Sequence, residues 1–252
     1  MTTMTMTPTR AISTIARREL AAYFESPLAY VFLVIYLLMS GFFTFSFGGF
    51  FERGEASLAS FFSWMPWLFL FLVPAVGMRL WSEERRLGTM ELLLTMPVTP
   101  WQAIVAKFLA SWIFLGIALV LTFPLVITVN WLGDPDNGVI AAGYLGALLL
   151  AGSFLAVASL SSAITRNQVI AFILAVMACM LLILVGFSPM TDLIARWAGP
   201  GVVEAIANFS VLTHFDGFQR GVIDSRDFVY FFSVIGFSLF ATGVVIRGYR
   251  AG

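Results

Sequence analysis

The side chains with the most chemistry to offer stand together at Trp81-Ser82-Glu83-Glu84-Arg85-Arg86-Leu87-Gly88-Thr89-Met90-Glu91, between two long apolar runs, in a 252-residue chain that is only 11% charged. The groups on offer in this island are carboxylates and guanidiniums. They make ion pairs and hydrogen bonds. Read as a helix, the island puts Glu84, Gly88 and Glu91 along one face and Leu87, Met90 and Leu94 along another, following the i, i+3, i+4, i+7 rule. One face could rest on an apolar surface while the other presents acids to a partner. Gly88 costs about 1 kcal/mol of helix propensity relative to Ala, and close backbone approach is one reason to keep it. The competing reading is that these charges only solvate and anchor a loop.

Catalysis has little material elsewhere. His214 is the only histidine, Cys179 the only cysteine and Lys107 the only lysine, and the sequence carries no G-x-S-x-G elbow, H-E-x-x-H pair or G-x-x-x-x-G-K-[ST] phosphate loop. A disulfide framework, a thiol metal site and nucleotide binding by the usual loop are all excluded, and no metal site is expected, since one His and scattered Asp lack ligand spacing. Zero formal net charge gives no basic field for nucleic acid.

These residues must be positioned by elements in lipid. The chain is 60% hydrophobic with 26 Phe and has a mean hydropathy of +0.94, more apolar surface than a soluble core of this size could bury. Six stretches are long enough to cross roughly 30 Å of hydrocarbon: 28–51, 58–78, 108–132, 139–164, 169–187 and 228–246. The expected fold is an all-α membrane protein of one transmembrane domain. With an even number of crossings, Arg10, Arg17, Arg18, Arg79, Arg85, Arg86, Lys107, Arg166, Arg247 and Arg250 share one side and Arg53, Arg196, Arg220 and Arg226 the other. Ten against four makes the first side, with both termini, cytosolic. The first apolar run starts too late and runs too long for a cleaved signal peptide, so the amino terminus reads as mature sequence. By these boundaries the spans hold no Asp, Glu, Lys, Arg or His, which argues against an ion-coupled secondary transporter.

Local punctuation supports several boundaries. Ser26-Pro27 is an N-cap followed by proline at N1, and Thr99-Pro100-Trp101-Gln102 has a cap, an N1 proline and the Gln of a capping box. Pro97 and Pro100 close the island's own helix, 82–96, as a discrete element. Over 10–26, Ile12, Ile15, Ala16, Leu20, Tyr23 and Phe24 recur at helical spacing with Arg10, Ser13 and Arg17 facing away, which predicts an amphipathic interfacial helix rather than a plain lead-in. Between the fifth and sixth spans, 189–227 is rich in apolar residues but broken at Gly199-Pro200-Gly201. Its halves, Met190 to Ala198 and Val202 to Leu212, predict two short helices dipping into the outer leaflet. Trp197, Phe209, Phe215 and Phe218 would then be covered by the bilayer or a partner. His214, Asp216, Arg220, Asp224, Arg226 and Asp227 form a polar patch before the last span, either a hydrogen-bonded cap or a gate.

The run Glu83-Glu84-Arg85-Arg86-Leu87-Gly88-Thr89-Met90-Glu91-Leu92-Leu93-Leu94-Thr95-Met96-Pro97-Val98-Thr99 resembles the segment after the second span of type-2 ABC transporter permeases, an E-x-x-x-G-T-x-E core followed by Leu residues and a Pro-small turn. Arg17-Arg18-Glu19-Leu20-Ala21-Ala22-Tyr23-Phe24-Glu25-Ser26-Pro27 and His214-Phe215-Asp216-Gly217-Phe218-Gln219-Arg220-Gly221-Val222-Ile223-Asp224 are similar to the gliding-motility branch of that family. The resemblance implies an exporter-type permease of the bacterial inner membrane: an elbow helix, six spans, a cytosolic coupling helix and short re-entrant extracellular helices. Glu83, Glu84, Arg85, Arg86, Gly88, Thr89 and Glu91 would contact a cytosolic ATPase, present in two copies, that binds ATP and Mg. A smaller second contact could come from Arg166 and Asn167, unless that turn is only a topological anchor. A second permease copy, identical or not, completes the transporter. A membrane-anchored subunit with a large periplasmic domain is a further possible partner. Export or extraction of a lipid-like or polypeptide substrate is the implied function, and mechanical action on a periplasmic partner or surface machine is the alternative.

Overall fold

The computed structural model describes residues 8–50, 52, 54, 56–89, 99–197 and 199–248. Among these residues the chain is helical and contains no strand. In chain order the helices are α1 (Pro8–Glu25), α2 (Pro27–Phe42, ending in a π turn over Phe43–Phe47), α3 (Ala59–Gly77), α4 (Arg79–Leu87), α5 (Pro100–Val120), α6 (Phe123–Leu132), α7 (Asn137–Ile164), α8 (Gln168–Leu184), α9 (Ser188–Ala195), α10 (Pro200–Ala207), α11 (Val211–Gln219) and α12 (Ser225–Gly248).

Local sequence explains several starts. Ser26 Oγ accepts from Leu28 N ahead of Pro27, and at Thr99 both arms of the capping box are formed. Asp136 Oδ1 accepts from Gly138 N and Val139 N to open α7, and Asn167 Oδ1 does the same for Val169 N and Ile170 N in α8. Each satisfies N–H groups that a helix cannot satisfy internally.

Helix α7 forms the centre of the bundle, with α3, α5, α8, α11 and α12 packed around it. Its sequence suits that place, because Gly, Ala and Ser side chains let neighbouring helices come close. An added Cβ at Gly146 would lie 2.5 Å from Phe218 Cβ. Helix α2 is the reverse case, apolar on all sides, with Leu28, Val31, Ile35 and Leu38 exposed. Such a helix belongs against lipid.

Among the described residues, five helical stretches are long and apolar enough to cross a membrane: Pro27–Phe47, Ala59–Leu87, Pro100–Leu132, Asn137–Ile164 and Ser225–Gly248. Gln168–Leu184 is apolar but has 17 residues, the lower limit for a span. Several expected boundaries are corrected. The island's helix is not a discrete element over 82–96. Helix α4 follows α3 after the single residue Met78 and stops at Leu87, and 90–98 lie outside the described residues. The stretch read as 108–132 begins at Pro100 and divides at Leu121–Thr122, ahead of Pro124, whose ring cannot continue the backbone ladder. Lys107 therefore sits inside α5, about 10 Å from its start, and the reading of spans free of ionisable residues fails there.

The segment before α12 contains three short helices rather than two. The additional one, α11, buries Val211, Phe215 and Phe218 completely, so two of the four aromatic side chains expected to be covered by the bilayer or a partner are covered by the chain's own core. Trp197 and Phe209 remain 90% and 71% exposed.

Candidate functional site

The charged island is built onto the end of α7 by a serine hydroxyl. Helix α4 has no side-chain cap of its own. Ser162 Oγ, from α7, accepts from Trp81 N and Ser82 N at 3.0 Å each and donates to Met78 O at 2.7 Å. A hydroxyl has one proton and two acceptor sites, so this one is saturated. It enters the backbone ladder where α3 passes into α4, one of the recognised causes of a helix kink. Two further bonds fix the rotation of α4. Trp81 Nε1 donates to Ser159 Oγ at 3.0 Å, and Arg85 Nη1 donates to Ala163 O at 2.6 Å. The second puts a cation on the last carbonyls of α7, where the helix dipole favours it.

An ion cluster ties the other side of α4 to α1 and α5. Lys107 Nζ lies 2.9 Å from Glu84 Oε1 and 3.3 Å from Glu19 Oε2, with the lysine side chain 7% exposed and each carboxylate 22% exposed. The same ammonium stands 5.7 Å from the Trp81 ring centroid. Without those two carboxylates, burial of the ammonium would be costly. Nearby, Tyr23 OH pairs with Ser111 Oγ at 2.9 Å. Burial pushes the Tyr23 phenol above its ordinary range, against the opposing pull of that hydrogen bond.

This geometry divides the island. Glu84 and Arg85 turn inward, so Glu84 does not share a partner-facing surface with Gly88 as the helical wheel suggests. Glu83 and Arg86 lie outside, 4.0 Å apart and substantially exposed, a pair worth little by itself. Leu87, Gly88 and Thr89 are also exposed. Gly88 is not an interior helical residue. It has φ +71° and caps α4, with Thr89 N reaching back to Glu84 O, and glycine is the default for that left-handed position. Glu91 lies outside the described residues.

Arg166 and Asn167 are exposed in the turn that follows α7, and Asn167 is occupied in capping α8. Since Arg85 bonds Ala163 O, this turn and α4 lie at the same end of the bundle.

The residues before α12 form a hydrogen-bonded clamp. His214 Nδ1 meets Asp227 Oδ1 at 2.7 Å and His214 Nε2 meets Asn208 O at 3.0 Å. Its ring stacks on Tyr230 at 4.0 Å, and Tyr230 OH donates to Phe209 O. Asp224 Oδ1 accepts from Arg226 N at the start of α12. Asp216 and Arg220 form a separate exposed pair at 2.8 Å. The described residues contain no group of three or more His, Cys, Asp or Glu able to hold a metal.

Sequence reading missed Glu19, Lys107, Ser159 and Ser162. A signal for Lys107 existed, because the capping box at Thr99 already starts the helix eight residues before it. Ser162 had none, since its partners are about eighty residues away in sequence.

Together the lipid-facing helices and the buried, glycine-rich α7 define a helical multi-pass membrane protein. The chain belongs to the ABC-2 transporter family, residues 55–245 matching the family described as ABC-2 family transporter protein. Such proteins are transmembrane subunits that generally work with a cytosolic ATPase. The match takes in α3 through most of α12 and leaves α1 and α2 outside it. No curated protein matches the chain.

Proposed function

We propose that this chain is the permease of an exporter-type ABC transporter in the bacterial inner membrane. In this reading α1 is the elbow helix, and α2, α3, α5 with α6, α7, α8 and α12 are the six spans, with both termini cytosolic. ATP and Mg are bound by two copies of a separate ATPase. A second permease completes the transporter, and the substrate is lipid-like or polypeptide. The likeness of Arg17–Pro27 and of His214–Asp224 to the gliding-motility branch supports placing the chain there, with a periplasmic-domain subunit as a further partner.

The observation that carries the proposal is the attachment of α4. Five hydrogen bonds fix it to α7 or to the junction beside α7, and Lys107 ties it to α1 and α5. A load applied to the island is therefore delivered to the central helix. The surface left for the ATPase is Glu83, Arg86, Leu87, Gly88 and Thr89, with Arg166 and Asn167 as the second contact. Glu84 and Arg85 act behind it by holding α4 in place.

The test is affinity purification of the tagged chain from its native membrane, with ATP hydrolysis assayed in the eluate. Arg86→Glu and Leu87→Asp should lose the ATPase while the permease keeps its unfolding temperature, because both side chains lie exposed on the outer surface. Normal ATPase recovery with both variants would leave the island as an anchor. An ATPase that is retained and stimulated yet moves no lipid or peptide in vesicles would favour mechanical action on a periplasmic partner.

A further inference from the structure

A cavity of about 450 Å³ lies among α1, α2, α3, α4 and α5, within the range of small-molecule sites. Its polar end is lined by two residues that each carry a buried atom left unsatisfied among the described residues. Arg79 Nε and Glu84 Oε2 are buried with no hydrogen-bond partner among the described residues, and both residues line the cavity. One is a cationic donor and the other an anionic acceptor, so the pair calls for a ligand carrying an acceptor anion and a donor cation together. Lys107 is already engaged by Glu84 Oε1 and Glu19. The rest of the wall is mostly apolar, with Tyr23, Ser26 and Glu83 as its other polar residues. Leu28, Val31 and Ile35 lead from the cavity along α2, where they are 45%, 53% and 44% exposed, on the side of that helix suited to lipid.

We propose that this cavity binds a phospholipid with a primary-amine zwitterionic headgroup, drawn from the leaflet at the island's end of the bundle. The phosphate accepts from the Arg79 guanidinium, the ammonium donates to the Glu84 carboxylate, and the acyl chain follows Leu28, Val31 and Ile35. A quaternary ammonium headgroup has no N–H for Glu84. A headgroup of net negative charge is disfavoured because the lining holds Glu19, Glu83 and Glu84 against Arg79 and Lys107. The assignment requires only that the bundle sit in a bilayer and does not depend on an ATPase partner.

Native mass spectrometry of the full-length chain, purified in detergent, tests it with phosphatidylethanolamine, phosphatidylcholine and phosphatidylglycerol of identical chains. Phosphatidylethanolamine should form a one-to-one adduct at least about tenfold tighter than either of the others. Arg79→Gln should lower that preference to near parity. Ala75→Phe, which fills the cavity and keeps both charges, should remove the adduct without lowering the unfolding temperature. Equal binding of the three lipids would mean unspecific annular lipid, and tighter binding of phosphatidylglycerol would mean an anion site; either overturns the proposal. So would glycerophosphoethanolamine competing as strongly as the intact lipid, because the occupant would then be a soluble zwitterion.

Discussion

Replacing Lys107 with Met is the most informative perturbation, because it removes the one cation shared by two carboxylates. The ammonium is 7% exposed and lies 2.9 Å from Glu84 and 3.3 Å from Glu19. Removing one partner of a buried ion pair costs about 3–5 kcal/mol, chiefly from the charge left behind. Here each carboxylate keeps 22% exposure, so some solvent screening survives and the low end, about 3 kcal/mol, is the expected loss. Glu19 has a second cation in Arg18 at 3.3 Å, but that side chain is 69% exposed and offers little compensation.

The assay is equilibrium unfolding in mixed micelles followed by far-UV circular dichroism, run on wild type, Lys107→Met and the triple variant Glu19→Gln, Glu84→Gln, Lys107→Met. The triple variant should recover most of the loss, since no charge is then left unpaired and neutral replacement of a buried ion cluster is often tolerated. Pairwise cycles should give Lys107 a larger coupling to Glu84 than to Glu19. A single variant within about 1 kcal/mol of wild type, or a triple variant no better than the single one, would refute the account of the cluster as buried and mutually dependent.

Ser162→Ala should cost about 1–3 kcal/mol by orphaning Trp81 N and Ser82 N, measured by the same unfolding experiment, whereas Ser161→Ala, whose hydroxyl bonds only Val157 O, should be near neutral. Gly146→Leu should destabilise by at least about 1–3 kcal/mol because even a Cβ there meets Phe218 at 2.5 Å, and a further Phe218→Ala exchange should recover part of that loss. In a Cys179→Ala background, single cysteines at Arg86 and Arg166 should resist an impermeant thiol reagent on spheroplasts while one at Asp134 reacts. Asp134 is preferred to Asp136, whose carboxylate caps α7.

What could be read from the sequence was whatever is decided within a few residues. The capping box at Thr99 and the cap at Ser26 involve neighbours three or fewer positions apart, and both are formed. Gly88 was legible as well, since a glycine just after the basic last turn of Arg85 and Arg86 is a helix stop; reading it as an interior residue came from extending the amphipathic face past that stop. Phe215 and Phe218 show a different limit. Apolar residues at helical spacing look alike whether they meet lipid or another helix, and only their packing against α7 separates the two. Gly146 marked a place for close approach but could not name Phe218 as the neighbour.

The two attachments of α4 differ in stiffness, and that difference bears on how a load at the island would travel. Toward α7 the bonds are short, several and saturated at Ser162, with Trp81 and Arg85 fixing rotation. Such a contact has little freedom to adjust before it breaks. Toward α1 and α5 the link is one ammonium on a flexible four-carbon stem, which can follow a moving carboxylate while keeping its charge contact. A tilt of α4 should therefore act on α7 directly and reach α5 mainly through α7, to which Trp112 Nε1 of α5 is bonded at Leu148 O. Because α7 packs against α3, α5, α8, α11 and α12, that motion would pass through the centre of the bundle. A variant that softens the first attachment, such as Ser162→Ala, should then weaken coupling more than one that loosens the second at equal cost in stability. Equal loss of ATPase stimulation from Ser162→Ala and from Glu19→Gln, at matched unfolding free energies, would show that the two links carry load alike and that the stiffness argument is wrong.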